Sequence, residues 1–189
     1  MIKRLVIAAL VILPLAGCST VHDAQPLGTV TRSSNPAVVS QLDYAKSHYK
    51  NPNKDRFGDL GGVDCVNFVS QTLLARGWKL NKEWTYKDGY SRAWISSTGF
   101  RDYLRMHPEM ATEHTWDKSE KLEVGDVVQF DWDNSGDRDH TAIVSGFTTI
   151  NGSKEVLLAS HSPAAFDWAI TDVLAENDDR TVVYFWSIK

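Results

Sequence analysis

Apolar residues recur at two periods along this chain, and the change between them falls past its middle. In the first part the period is helical. Val38, Leu42, Ala45 and Tyr49 fall on one helical face behind Asn35-Pro36, an N-cap followed by proline at the first helical position. That helix is expected to end near Asn51-Pro52. A second stripe runs through Val66, Val69, Leu73 and Leu74 and stops at Gly77. A third carries Phe100, Tyr103 and Leu104, with Thr98 as its expected cap, and ends before Pro108. From residue 126 the pattern becomes that of strands rich in Val, Phe, Tyr and Trp: Asp126 to Trp132, His140 to Phe147, Glu155 to His161 and Thr181 to Ile188. Asn151-Gly152 is a hairpin signal between the second and third. Ala169 to Ala175 fits a short helix or a strand. Helices first and strands later predict an α+β fold, with N-terminal helices packed on an antiparallel sheet. Between Lys79 and Thr98 no period is sustained, yet Trp84, Tyr86, Tyr90 and Trp94 lie there. This stretch reads as a surface loop pinned to the core by its rings, in preference to the wall of a ligand cleft.

The chain begins differently. Met1-Ile2-Lys3-Arg4 is basic, and Leu5 to Leu15 is an apolar run broken only by Pro14, too short to span a bilayer. That is the layout of a secretory signal. The run ends Leu15-Ala16-Gly17-Cys18, which resembles the bacterial lipobox. The resemblance implies cleavage before Cys18 and acylation of its sulfur and amine. Three segments are therefore expected: 1–17 a lipoprotein signal peptide, 18–34 a flexible polar tether, and 35–189 one globular domain. Ser19 is not the aspartate that retains many such lipoproteins at the inner membrane, so the outer membrane is expected if the cell is Gram-negative. Loss of the signal leaves 172 residues and takes the formal charge from −4 to −6, since Lys3 and Arg4 leave with it. No clustered positive charge points to nucleic acid. With 11% aromatic residues the chain is globular rather than disordered. The membrane, through lipidated Cys18, is an expected partner, with the domain acting as a monomer.

Candidate chemistry centres on Gly61-Gly62-Val63-Asp64-Cys65. The glycines free the backbone to turn, Asp64 is placed to cap the following helix, and Cys65 falls in its first turn. Free N–H groups and the helix dipole favour a thiolate there, whereas the charge of Asp64 opposes it, so a cationic partner is needed. With Cys18 used by lipid, Cys65 is left without a disulfide partner. A lone thiol is as readily a small buried hydrophobe as a nucleophile. A nucleophile needs a base and a third group to orient that base. Of six histidines, His22 lies in the tether, His48 late in a helix, and His107 and His114 in a loop region. His140 and His161 fall on strands that the Asn-Gly turn makes neighbours, so His161 is placed to orient His140 while His140 serves Cys65.

Asp64-Cys65-Val66-Asn67-Phe68-Val69-Ser70-Gln71 resembles the Asp-Cys-x-Asn-Phe-x-Ser-Gln motif of a bacterial putative amidase domain family, itself similar to the NlpC-type cysteine peptidases. Gly125-Asp126 with its strand, Asp139-His140-Thr141-Ala142-Ile143-Val144 and Leu158-Ala159-Ser160-His161-Ser162 resemble the family's later blocks in the family's order. Ser91-Arg92-Ala93-Trp94 loosely fits a serine–tryptophan block. The resemblance implies that 35–189 is an amidase-like catalytic domain with a permuted papain-like (NlpC-type) fold. It implies Cys65 as nucleophile, His140 as general base and then acid, and His161 as the orienting residue. Asp64, Asn67 and Gln71 are motif and oxyanion support, with the Cys65 N–H as an oxyanion donor. The expected reaction is attack of the thiol on an amide carbonyl, with a peptidoglycan stem or cross-bridge amide as substrate. An acyl or peptidyl transferase on the same dyad, and an envelope protein that keeps the fold for binding, are the alternatives.

Asp131-Trp132-Asp133-Asn134-Ser135-Gly136-Asp137, continued by Asp139, follows the start of a calcium-loop pattern. Ala142 stands where the bidentate glutamate belongs, and the flanks are strands. A hairpin turn is the reading preferred over a calcium loop. No histidine or cysteine pair has zinc spacing. No metal or other cofactor is expected.

Overall fold

The computed structural model describes residues 28–58 and 60–189, and the backbone of residues 21–23. The expected signal peptide 1–17 and the lipidation residue Cys18 lie outside the described residues. Helices α1 (Pro36–His48), α2 (Lys54–Phe57), α3 (Cys65–Arg76), α4 (Arg92–Ile95) and α5 (Ser97–Met106) come first, apart from a short strand β1 (Val21–Asp23). Then follow β2 (Ala111–Thr115), β3 (Val127–Asp131), β4 (His140–Ile150), β5 (Ser153–Ser160), β6 (Ala164–Ala169), α6 (Ile170–Ala175) and β7 (Val182–Ile188). Six strands form an antiparallel sheet in the order β2-β7-β3-β4-β5-β6, and β1 adds to β6 in parallel. The α+β architecture read from the sequence is the one observed.

The sheet is buried on both faces, and strand alternation sorts its residues. Val127, Ile143, Ala159 and Trp186 face α1 and α3, packing with Val38, Leu42, Val66, Phe68 and Leu73. Val128, Phe130, Ala142, Val144, Leu158 and Phe185 form a second cluster on the other face with Ile170 and Val173 of α6. Phe68 is fully buried, which contributes roughly 2–3 kcal/mol. Trp84 and Trp94 are also fully buried, their rings 4.8 Å apart, so the 79–98 stretch is pinned to the core as expected.

Local signals held at some ends and failed at others. Asn35 Oδ1 accepts from the Ala37 N–H at 2.9 Å, with Pro36 at the first position of α1. At α5 the cap is Ser96, whose Oγ accepts from the Gly99 N–H at 3.1 Å, and not Thr98. Thr98 instead uses its hydroxyl on the main chain of Arg138. The polar sequence of β2 concealed an edge strand, and residues 162–179 hold both β6 and α6. Part of the expected tether lies along the sheet. Thr31 and Phe147 exchange backbone hydrogen bonds of 2.7 and 3.0 Å, and Arg32 pairs with Asp167. Among the described residues no helix is long and apolar enough to cross a membrane.

Candidate active site

Gly61–Val63 make one 3-10 turn that runs directly into α3 and presents Cys65 as its first residue. Asp64 does not cap the helix with its side chain, because its carboxylate is committed elsewhere. Asn67 Nδ2–H donates to Asp64 Oδ1 at 2.7 Å, and Asp64 Oδ2 lies 2.5 Å from His161 Nδ1. The other ring nitrogen of His161 is 2.9 Å from the carbonyl oxygen of His48, the last residue of α1. Both His161 nitrogens thus face acceptors. Phe68 stacks on the ring at 4.0 Å. Trp94 Nε1–H donates to Asn67 Oδ1 at 2.7 Å. This contact gives the loosely matched serine–tryptophan block a role, since it holds the asparagine that holds Asp64.

The Cys65 thiol is buried, with 8% of the residue exposed. Burial pushes its pKa up, and the neighbouring Asp64 charge adds to this. The Ser97 hydroxyl and the backbone N–H groups of Thr141 and Val66 act in the opposite direction. Ser97 Oγ is 3.6 Å from Cys65 Sγ. The sulfur therefore lies against the peptide that joins His140 to Thr141.

His140 itself is turned away. It pairs with Phe130 in the β3–β4 register, and alternation puts both on the face of Ala142 and Val144, whereas Thr141 shares the helix-side face of Ile143. Its ring lies near those of Phe130 and Trp132 and lines a cavity of about 350 Å³ with Trp132, Ser162 and Trp168. It makes no hydrogen bond among the described residues, and burial pushes its pKa down to about 4. The structure thus gathers Cys65, Asp64, Asn67 and His161 on one side of the sheet and leaves the His140 ring on the other. The expected His161–His140 contact is replaced by His161–Asp64. Gln71 is remote from the thiol: it accepts from the Tyr44 hydroxyl at 2.7 Å and ties α3 to α1.

Sequence reading missed Ser97, Thr141, Gln129 and Trp186. One signal for Thr141 was present: if Ile143 packs on the cysteine helix, a period of two brings Thr141, not His140, to the same face.

In the acidic turn, carboxylate oxygens of Asp131, Asp133 and Asp139 lie within 4.8 Å of one another. All three already accept backbone N–H groups of the turn, from Ser135, Gly136 and Trp132. Arg138 lies 4.0 Å from Asp131. These bonds build the hairpin turn read from the sequence.

A family model described as "Putative amidase domain" matches residues 36–186. The chain is also similar to "Uncharacterized protein YjcM" of Bacillus subtilis (strain 168), with 31% identity over 124 residues. That alignment covers 62% of this chain and 29% of the Bacillus protein, so the chain spans well under half of that relative's length. No solved structure gives a significant match.

Proposed function

The chain belongs to the family described as "Putative amidase domain", and on that premise we propose that it hydrolyses amide bonds with Cys65 as nucleophile. The observation that carries this reading is the setting of one sulfur at the head of α3, 3.6 Å from the Ser97 hydroxyl and beside the N–H groups of Val66 and Thr141. Hydrogen bonds from these groups work against the burial that otherwise disfavours the thiolate. The fold assigned to this reading is the permuted papain-like one.

In this proposal the thiolate adds to the amide carbonyl. The amine leaves with a proton, and water then hydrolyses the thioester to release the acid and regenerate the thiol. His140 supplies the base. Its depressed pKa leaves the ring neutral at pH 7, able to accept a proton, and its main chain adjoins the sulfur. Catalysis then requires the ring to turn from the Trp132 side toward Cys65 at the start of β4. His161 holds the Asp64 carboxylate in place beside the nucleophile. The proposed setting is the bacterial envelope, with the domain anchored through lipidated Cys18 and acting on peptidoglycan peptides.

Incubating the full-length protein with purified cell wall, and identifying released fragments by mass spectrometry, tests the reading. Wild type should release peptide fragments, and Cys65→Ala should release none while keeping a native circular dichroism spectrum. Identical fragments from both proteins sink the cysteine mechanism. Products that carry an added amine mark transfer instead of hydrolysis. A second reading, in which the fold serves binding alone, is favoured by one observation: the thiol is buried and makes no hydrogen bond to an imidazole among the described residues. Retained cell-wall binding by a protein that releases nothing would support it.

A further inference from the structure

Cys65 stands at the end of a buried hydrogen-bond chain that starts from a group able only to donate. The indole Nε1 of Trp186 lies 2.9 Å from one side-chain atom of Gln129. An indole nitrogen only donates, so that atom is the amide oxygen of Gln129. The orientation of the amide, ordinarily a matter of assignment, is thereby set. Its Nε2 must donate, and it has two acceptors in reach: the Ser97 carbonyl oxygen at 2.9 Å and Thr141 Oγ1 at 3.1 Å. Both amide hydrogens are used. Thr141 Oγ1 accepts from Gln129 and donates its own hydrogen to Ser97 Oγ at 2.9 Å. Ser97 Oγ accepts from Thr141 and keeps one hydrogen. The remaining partner for that hydrogen is Cys65 Sγ, at 3.6 Å.

All four residues that feed the sulfur are buried: Trp186 is 1% exposed, Ser97 5%, and Gln129 and Thr141 not at all. A buried hydroxyl hydrogen without an acceptor is costly, which disfavours the reverse arrangement in which the thiol donates to Ser97. The chain also crosses the fold. Trp186 is on β7, Gln129 on β3, Thr141 on β4 and Ser97 at the start of α5. The sheet therefore sets the position and the polarity of the donor that meets the thiol.

We infer that Ser97 is a positioning residue for Cys65, held by Trp186, Gln129 and Thr141 so that its hydroxyl always donates to the sulfur and favours the thiolate. This deepens the cysteine reading proposed above, and its catalytic meaning rests on that reading. The device answers a local need, because burial and the Asp64 carboxylate both disfavour negative charge on the sulfur.

The test reads the sulfur directly. Full-length protein is alkylated with iodoacetamide across a pH series, and modification is followed by mass spectrometry on the peptide bearing Cys65, so Cys18 does not contribute. Ser97→Ala should move the alkylation midpoint to higher pH and slow modification at pH 7 about tenfold, the loss expected for one hydrogen bond to an ion. Ser97→Thr, which keeps a hydroxyl, should return the midpoint toward wild type. Trp186→Phe, which frees the Gln129 amide to flip, should move it in the same direction as Ser97→Ala by less. Should Ser97→Ala fail to fold, Thr141→Val removes the hydroxyl that orients Ser97 and carries the same expectation. An unchanged midpoint in Ser97→Ala, or a midpoint at lower pH, overturns the inference. Because alkylation does not depend on amide hydrolysis, a shifted midpoint beside a fully active Cys65→Ala would refute the nucleophile and leave the hydrogen-bond chain standing.

Discussion

Both carboxylate oxygens of Asp64 are engaged, one by Asn67 and the other by His161, and the whole arrangement is buried. Removing one partner of a buried ion pair strands the other charge without water, whereas replacing both by apolar groups of similar volume is often neutral. Asp64→Ala should therefore cost about 3 kcal/mol in urea unfolding, and Asp64→Ala combined with His161→Phe should recover most of it. A loss below about 1 kcal/mol in the single variant would show that the pair is not a buried charged pair. The importance of Asp64 and His161 was legible in the sequence through the motif. Their contact was not, because the residues are separated by 97 positions and meet only when β5 is laid beside α3.

The β4–β5 hairpin is the element whose local code and observed geometry agree most closely. Asn151 and Gly152 take φ of 51° and 81°, the left-handed pair that a two-residue turn of this kind requires. A Cβ on Gly152 meets no atom within 4 Å, so the backbone conformation alone is at stake. Gly152→Ala should cost about 1 kcal/mol through this left-handed strain, and a thermal midpoint indistinguishable from wild type would contradict the assignment. The start of α3 shows the opposite case. Asp64 has the chemistry of a cap, but its φ of −92° and ψ of 1° follow from the 3-10 turn before it, and its carboxylate meets stronger partners across the fold. Local propensity yields to tertiary bonding where a charge must be buried.

At the scale of the whole molecule, two buried groups on different elements make opposite contributions to acid stability. Asp126 accepts from the N–H groups of Glu123 and Ile188, yet burial dominates and pushes its pKa up to about 6 from an ordinary 3.8. Between those values the folded chain holds a proton that the unfolded chain has released, so stability falls as pH rises from about 4 to about 6. His140 is pushed down to about 4 from 6.5, so there the unfolded chain takes up a proton that the folded ring refuses, and stability falls as pH drops through that window. Each group contributes a slope of at most about 1.4 kcal/mol per pH unit, and in wild type the two offset one another. In Asp126→Asn the urea midpoint should fall on acidification from about pH 6 to about pH 4. In His140→Gln it should rise over the same interval. Midpoints that move the same way in both variants would refute the pairing of causes.

The sequence by itself determined the α+β order, the cap of α1, the hairpin turn at Asn151-Gly152 and the placing of Cys65 at the head of a helix. These depend on neighbours within a few positions, whose sterics and hydrogen bonds are local. Tertiary structure alone decided which side chains surround the thiol. Strand register and alternation turned Thr141 toward Cys65 and His140 away from it, brought Ser97 in from another helix, and tied His161 to Asp64. A sheet fixes faces by pairing segments far apart in the chain, and no spacing within one segment specifies which partner it will meet.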